Sequence, residues 1–257
     1  MKETILITGA ASGIGRATAL YFASKGWFVG LFDINVRGLE ALHHEIGPGN
    51  ACFREMDVAS MDSVKACVEF LARKSCNRLD VLFNCAGVLF MGVNADIAIA
   101  DQKKTVDINL GGMLNCIDAC LPLLRATKDA VIINMSSASA VYGTPELAVY
   151  SATKHAVRGL TEALNIELAP RGIHVCDIMA PYVRTPMILE AAHKATSVSR
   201  LKVSITPEQV ADVVFRAYAG KKIHWHVGRL LKLLVVVTTL LPFCKRLLIK
   251  TLAFADQ

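Results

Sequence analysis

Short apolar runs alternate with helical stretches along most of this 257-residue chain. Six of these runs have the length and composition of buried strands, from "TILITGA" near the start to "IHVCDIMAP" at residues 173–181. Several of the helical stretches between them end at glycine, a common helix terminator. Such alternation builds right-handed βαβ units with helices on both faces of a parallel sheet. The sequence therefore predicts a doubly wound α/β fold in a single domain that covers residues 1–257.

A glycine-rich loop follows the first predicted strand and opens the first predicted helix. Residues 8–15 read "TGAASGIG", with glycines at 9, 13 and 15, and with Ser12 and Ile14 between them. Glycine permits a tight turn and a close approach of the backbone to an anion, and the helix N-terminus offers N–H groups to it. Turns favour glycine without any ligand, but the strand–loop–helix setting indicates a site for the pyrophosphate of a dinucleotide.

Asp33 ends the second predicted strand, eighteen positions after Gly15. An acidic side chain at this place can accept hydrogen bonds from a ribose 2′-hydroxyl, and it would repel a 2′-phosphate. The neighbouring Ile34 is not basic, although Arg37 lies three residues further on. We therefore predict NAD as the cofactor and NADP as the less favoured alternative, while Asp33 could also simply begin a turn.

Five further motifs follow the glycine loop in a fixed order. They are "NCAG" at 84–87, "VDINLGG" with Asn109, "NMSSASA" with Ser137, "YSATK" with Tyr150 and Lys154, and "APYVRT" at 180–185. The ordered set resembles the short-chain dehydrogenase/reductase family over roughly residues 4–187. This resemblance implies a Rossmann-type sheet and hydride transfer between a nicotinamide and a carbonyl or alcohol carbon.

The resemblance assigns catalysis to Asn109, Ser137, Tyr150 and Lys154. Tyr150 would be the acid/base, and Ser137, thirteen residues earlier, would hydrogen-bond the substrate oxygen; the spacing favours it over Ser136. A free phenol has a pKa of about 10 and is a poor base at neutral pH. Lys154 lies one helical turn further on, so its ammonium is expected to lower the pKa of Tyr150 and to bind the nicotinamide ribose. Asn109 would distort its helix so that a water can bridge to the lysine.

The resemblance also implies a set of cofactor contacts, with Asp57 and Val58 beside the adenine. The full set is Gly9, Ser12, Gly13, Ile14, Gly15, Asp33, Asp57, Val58, Asn84, Ala86, Gly87, Tyr150, Lys154, Pro181, Val183 and Thr185. The chain departs from the family pattern at Cys85, where a second asparagine is usual, and at Tyr182, where glycine is common. Tyr182 is expected to contact the substrate together with Ser137 and Tyr150, and its ring would narrow the pocket or form an apolar wall.

The C-terminal part is unusually basic and apolar. Residues 221–250 contain seven Lys and Arg and no Asp or Glu, and the apolar run 233–244 is interrupted by Pro242. A run of about twelve residues is too short to cross a bilayer core of about 30 Å. We treat residues 228–257 as an extension that either covers the pocket or an oligomer interface, or lies on a membrane surface. It resembles the tails of family members that act on retinoids, steroids and other lipid-like molecules.

Residues 183–205 are predicted to form a substrate lid that is largely uncharged near its start. Together with the apolar tail, this lid favours a small hydrophobic alcohol, ketone or aldehyde as the substrate. The leading hypothesis is thus a NAD-dependent oxidoreductase. The alternative is a non-catalytic NAD-binding regulatory protein or a membrane-surface scaffold, and the complete set of four catalytic residues argues against it.

The remaining composition narrows partners and location. Hydrophobic residues make up 53% and charged residues 19%, which argues against disorder. Eight cysteines without a C-x-x-C pair, and scattered histidines, predict reduced thiols and no metal site. Few aromatic residues accompany the basic segment, so no nucleic-acid partner is predicted. We expect a cytoplasmic homodimer or homotetramer formed by helices near 99–124 and 151–169, with attachment to the cytoplasmic face of a membrane as an option.

Overall fold

The computed structural model describes residues 2–201 and 203–253. Residues 1, 202 and 254–257, which belong to the predicted domain, lid and extension, lie outside the described residues. Within the described ranges, seven parallel strands form one sheet in the order β3-β2-β1-β4-β5-β6-β7. The strands are β1 (Thr4–Thr8), β2 (Phe28–Asp33), β3 (Ala51–Glu55), β4 (Val81–Asn84), β5 (Val131–Met135), β6 (His174–Met179) and β7 (His224–His226). The six predicted strands are confirmed, and β7 is an addition.

Helices cover both faces of the sheet, as the doubly wound prediction requires. They are α1 (Gly13–Ser24), α2 (Val36–Ile46), α3 (Met61–Lys74), α4 (Ile99–Val106), α5 (Met113–Ala126), α6 (Ala148–Leu168), α7 (Pro186–Leu189), α8 (Thr196–Leu201), α9 (Pro207–Ala219), α10 (Arg229–Leu240) and α11 (Lys245–Ala253). Side chains alternate across a strand, so Ile5 and Ile7 of β1 enter the core under α1, α2 and α9. Leu6 enters the opposite core under α3, α5 and α6.

The order of the strands creates a crevice at the carboxyl ends of β1 and β4. β1 pairs with β2 on one side and with β4 on the other. The connection from β3 to β4 therefore crosses to the opposite side of β1, and the strand order reverses direction there. Ligands bind in open α/β sheets at such a switch point, outside the carboxyl ends of the strands. The glycine loop after β1 and the "NCAG" segment at the end of β4 therefore lie next to each other at the switch point.

The lid and the extension lie near this edge of the sheet. The predicted lid begins and ends at an isolated parallel bridge between Val183 and Ile205, and it contains the short helices α7 and α8. Helix α10 buries Leu231 in a small core with Val141, Tyr142 and Met179, and α11 contacts α8. No helix in the described part of the chain is long and apolar enough to cross a membrane.

Candidate active site

A cavity of about 660 Å³ opens at the carboxyl ends of the strands. Most of the predicted site residues line it: Gly9, Ser12, Gly13, Ile14, Gly15, Asp33, Asp57, Val58, Ala86, Gly87, Ser137, Tyr150, Lys154, Pro181, Tyr182, Val183 and Thr185. The structure places two predicted residues, Asn84 and Asn109, behind this lining. The sequence thus brings together, in one cavity, the loop suited to an anion and the residues suited to proton transfer.

The glycine loop is held tightly against the neighbouring strand ends. Gly9 has φ +70°, and a Cβ there would lie 2.9 Å from the Cα of Ala86. A Cβ on Gly15 would lie 2.1 Å from the carbonyl oxygen of Gly9. Thr8 fastens the adjoining segment, because its Oγ1 accepts hydrogen bonds from the backbone N–H groups of Cys85 (3.0 Å) and Ala86 (3.1 Å). Glycine is therefore required here by contacts within the protein as well as by any ligand.

The N-terminus of α1 points into the cavity without a competing side chain. Ser12 occupies the N-cap but makes no capping hydrogen bond, and the first turn carries no acidic residue. The first N–H groups of a helix have no partner within the helix and carry a partial positive charge. This end of the cavity is suited to a phosphate or pyrophosphate group.

Asp33 is held rigidly at the end of β2. Its two carboxylate oxygens accept hydrogen bonds from the backbone N–H groups of Ala11 and Asn35, both at 3.0 Å. Each oxygen keeps a lone pair for a further donor such as a ribose hydroxyl. Arg37 is exposed and is not part of the cavity lining. The cavity therefore presents a carboxylate at the place where a 2′-phosphate would need a cation.

Tyr150 and Ser137 meet inside the cavity. Tyr150 lies in the first turn of α6, and Ser137 follows β5; both side chains line the cavity, and the Ser137 side chain is near enough to lower the pKa of Tyr150. The Ser137 Oγ also accepts a hydrogen bond from the Ser139 N–H at 3.1 Å. The hydroxyl of Ser136 is buried and, within the described residues, has no partner. Both serines line the cavity, so the preference for Ser137 still rests on its spacing from Tyr150.

The expected effect of Lys154 on Tyr150 is wrong for this structure. Burial raises the pKa of Tyr150 to about 12, and the nearby Ser137 side chain lowers it only in part. The Lys154 Nζ lies 5.4 Å from the centre of the Tyr150 ring and donates to the Met135 carbonyl at 2.8 Å. Burial lowers the pKa of Lys154 to about 8. The spacing correctly predicts that the two side chains lie together, but burial sets the direction of both pKa shifts.

Asn109 lies in a local distortion of its helix, as expected. The predicted stretch 99–124 is helical throughout, but residues Asp107–Gly112 form a π-helical turn between α4 and α5. The Asn109 side chain accepts from the Val88 N–H at 2.8 Å and donates to the Val88 carbonyl at 2.9 Å. Asn109 therefore joins this helix to the segment after β4 that lines the cavity, and it is a positioning residue in the geometry seen here.

Asn84 has a role in the sheet rather than on the cavity surface. Its amide donates to the Asn134 Oδ1 at 3.0 Å, and Asn134 donates to the Thr161 Oγ1 at 3.0 Å. This chain of buried polar groups ties β4, β5 and α6 together. The adjacent Cys85, at the first departure from the family pattern, does line the cavity, and burial raises its pKa to about 12, so it is a neutral thiol.

The other end of the cavity has an apolar wall. Tyr182 lines it, and its hydroxyl forms a 2.6 Å hydrogen bond with the Oγ of the fully buried Ser197 in α8. This bond links the cavity wall to the lid. Sequence reasoning did not identify several apolar lining residues, namely Leu89, Tyr142, Leu147, Ile188 and Leu201. They lie in loops and short helices where no periodic pattern marks a buried face.

The described part of the chain contains no cluster of side chains that could bind a metal ion: no group of three or more His, Cys, Asp or Glu is arranged there to hold one. The seven cysteines whose side chains are described are all unpaired.

Comparisons with known proteins agree with this geometry. The family model described as short chain dehydrogenase matches residues 3–196. The chain is 35% identical over 218 residues to the 3-oxoacyl-[acyl-carrier-protein] reductase FabG of Thermotoga maritima, covering 82% of this chain and 88% of the relative. It is 33% identical over 220 residues to a cyclohexanol dehydrogenase of Acinetobacter, covering 83% and 86%. A crystal structure of a 3-ketoacyl-(acyl-carrier-protein) reductase from Brucella melitensis complexed with NADH superposes with a TM-score of 0.79 at 28% identity, covering 88% of this chain and 96% of that one.

A Rossmann sheet, a glycine loop and a Ser–Tyr–Lys set in one cavity define a nucleotide-dependent oxidoreductase. The chain belongs to the short-chain dehydrogenase family, and it is an oxidoreductase of that family. The family is confirmed, whereas these three relatives are not specifically retinol or steroid dehydrogenases.

Proposed function

We propose that this protein is a NAD-dependent oxidoreductase that transfers hydride between a nicotinamide and a hydrophobic alcohol, ketone or aldehyde. Tyr150 is its general acid/base. The observation that carries the proposal is that Ser137, Tyr150 and Lys154 line the same cavity as the glycine loop.

Different residues of the cavity bind different parts of the cofactor in this proposal. The loop of Gly9, Gly13 and Gly15 and the open N-terminus of α1 receive the pyrophosphate. Asp33 binds the adenine ribose and disfavours a 2′-phosphate, which is the basis for proposing NAD over NADP. Lys154 lines the same cavity and is proposed to bind the nicotinamide ribose. The NADH complex of the Brucella reductase supports this assignment.

The bound nicotinamide supplies or accepts the hydride, and the chain's own residues handle the proton. In the reducing direction Ser137 orients the substrate oxygen and Tyr150 donates a proton to it. Because burial raises the pKa of Tyr150, the phenol is protonated at neutral pH and ready to donate. In the oxidising direction Tyr150 must first lose its proton, so alcohol oxidation is expected to be faster at alkaline pH.

The apolar wall supports a hydrophobic substrate. Met91, Leu147 and Ile188 form a small core beside the cavity, and Tyr150 and Tyr182 pack against it. Two of the relatives are named for substrates with apolar carbon skeletons, cyclohexanol and an oxoacyl chain. Retinoid-like and steroid-like molecules are larger apolar alcohols and ketones. The resemblance of residues 228–257 to the tails of family members that act on such molecules supports them as substrates. The unpaired cysteines support a cytoplasmic location.

The test is turnover, followed by the absorbance of reduced nicotinamide. Purified protein is assayed with NAD and NADP against alcohols and ketones graded from short-chain and cyclohexyl compounds to retinoids and steroids, at pH 7 and pH 9. We expect NAD to be preferred, with turnover of apolar substrates. Tyr150→Phe should lose at least about 100-fold in kcat, because a general acid typically contributes that much, and should still bind NADH.

Tyr21→Phe is the matched control. Tyr21 bonds Asp212 at 3.3 Å and does not line the cavity, so this variant should keep its activity. Full activity in Tyr150→Phe would remove Tyr150 from the mechanism. Faster turnover with NADP would refute the role of Asp33, and NADH binding without turnover on any substrate would favour the non-catalytic alternative.

A further inference from the structure

The outer side of α10 and α11 is an exposed apolar surface. Six large apolar side chains on and between these helices are between 52% and 78% exposed: Leu230, Leu233, Val236, Leu240, Phe243 and Leu247. We call this set the tail face. Isolated exposed apolar residues are normal, but six of them within residues 230–247, on two consecutive helices, indicate an interaction site.

The positive charge of the protein is concentrated in the segment that carries the tail face. Residues 221–250 carry seven cations and no acid, whereas the other 227 residues carry 21 basic and 22 acidic residues. Arg229, Lys232 and Arg246 are exposed next to the apolar side chains. The body of the protein is thus nearly neutral, and the partner of the tail face must tolerate or attract a strong local positive charge.

The opposite sides of the two helices are anchored to the protein body. Leu231 is buried against Val141, Tyr142 and Met179, and α11 contacts α8 of the lid. The tail face is therefore held facing outward. Helix α10 has twelve residues and a length of about 18 Å, which is less than the roughly 30 Å of a bilayer core, so it can lie on a membrane but not cross it.

We infer that the tail face docks the protein onto the surface of an anionic lipid bilayer. The apolar side chains enter the boundary between headgroups and acyl chains, and the cations face the lipid phosphates. A groove of about 570 Å³ beside Gly143 and Pro145 is lined by Lys245, Arg246 and Lys250, and it offers a place for an anionic headgroup.

Charge favours the bilayer over a second copy of the chain. A two-fold contact through the tail face would place the same surface against itself, and so would bring Arg229, Lys232 and Arg246 against the same three cations of the second copy. Like charges facing each other across an interface oppose association. An anionic bilayer removes this repulsion and accepts the apolar side chains as well.

The test is co-sedimentation of the full chain with vesicles of phosphatidylcholine alone, or with about 30% phosphatidylserine. We expect binding to the anionic vesicles that weakens with added salt. Val236→Asp should lower this binding at least tenfold. Val93→Asp is the matched control, because Val93 is 51% exposed and Val236 is 52% exposed. The control variant introduces the same negative charge outside the tail face. It should bind the anionic vesicles like the unmodified chain.

A second pair of variants tests the charge without touching the apolar residues. Lys232→Gln with Arg246→Gln should lower binding roughly thirtyfold, since each cation near an anionic surface contributes about a factor of five. Lys65→Gln with Arg73→Gln, both exposed on α3, is the control with the same change in net charge.

Turnover of a short, water-soluble alcohol is measured alongside, so that failure of docking is distinguished from failure of the proposed reaction. The inference is overturned if the full chain does not bind anionic vesicles, or if Val236→Asp binds as well as Val93→Asp. If the unmodified chain does not bind vesicles and Val236→Asp has a lower oligomer mass than the unmodified chain, the tail face would instead be a contact with a second copy.

Discussion

Lys154 is a charged group in a place that disfavours charge. Its side chain is 5% exposed, and burial lowers its pKa from 10.5 to about 8. The ammonium is therefore a source of instability that the fold tolerates. Residues kept for function commonly carry such a stability penalty.

This penalty has a predictable pH dependence. The folded pKa lies below the unfolded one, so the unfolded chain binds more protons between pH 8 and 10.5, and stability due to Lys154 rises with pH across that window. Replacing Lys154 with methionine removes about 3 kcal/mol of penalty at pH 7 and about 1 kcal/mol of hydrogen bonding to Met135. We expect Lys154→Met to be about 2 kcal/mol more stable at pH 7 and about 1 kcal/mol less stable at pH 10.5.

Denaturant unfolding of the unmodified chain and of Lys154→Met at several pH values measures the difference in their free energies of unfolding. The contributions of all other titrating groups cancel in this difference. A variant that is less stable than the unmodified chain at pH 7, or a difference that does not change with pH, would contradict the burial argument. The variant should also lose turnover, because Lys154 lines the cofactor cavity.

At this scale the sequence predicts which residues meet but not their electrostatics. The spacing of Ser137, Tyr150 and Lys154 is sufficient to bring them together. The direction of the Tyr150 pKa shift depends on how completely the surrounding loops exclude water, and no local pattern reports that. The position of Asn84 behind the cavity likewise depends on a partner, Asn134, that is fifty residues away.

Among the glycines of the described residues, Gly15 in the first turn of α1 has the least room for a Cβ. A Cβ on Gly15 would lie 2.1 Å from the Gly9 carbonyl oxygen, so the backbone itself must move to accept alanine. We expect Gly15→Ala to lower the free energy of unfolding by about 1–3 kcal/mol, as overpacking typically does, and to weaken NADH binding at least tenfold. Thermal unfolding and titration of NADH fluorescence measure the two effects.

Gly49 offers a control in the turn between α2 and β3. A Cβ there meets nothing within 4 Å, so Gly49→Ala should leave NADH binding unchanged and stability equal or slightly higher. If Gly15→Ala bound NADH as tightly as Gly49→Ala, the close packing of the loop would not be what shapes the site.

Regular elements with a clear hydrophobic pattern are predictable, and their exceptions are not. The stretch 99–124 reads as one helix, but the π-turn Asp107–Gly112 depends on the bonds between Asn109 and Val88. The strand β7 has three half-buried residues, two of them histidine, and is defined by its pairing with β6. Both exceptions are decided by tertiary contacts, which override local preference.

For the whole molecule, we propose a homodimer or homotetramer formed through α4, α5 and α6. Ile99, Leu114 and Ile166 are exposed on these helices, with Ile166 at 73%. We expect Ile166→Glu to shift the mass in light scattering from a multiple of 27.8 kDa towards 27.8 kDa, because a buried carboxylate would oppose the contact. Val93→Asp should keep the oligomer; an unchanged mass for Ile166→Glu would exclude α6 from the interface.

The arrangement of the tail is the least predictable feature at this scale. The composition of residues 221–250 indicates an interaction surface, but it does not separate the side that packs on Val141 and Tyr142 from the side that faces outward. That division depends on where the cavity wall and the lid lie, and these come from distant parts of the chain.

The position of β1 in the sheet has a consequence for how the chain is made on the ribosome. β1 is synthesised first but lies inside the sheet, and its second neighbour β4 ends at Asn84, 76 residues after Thr8. At about 5–20 residues per second, roughly 4–15 s pass between the two. During that time the open edge of Ile5, Leu6 and Ile7 is available to chaperones or to other nascent chains. A strand that is paired on both sides in the finished protein thus waits for 76 residues of synthesis with one edge exposed.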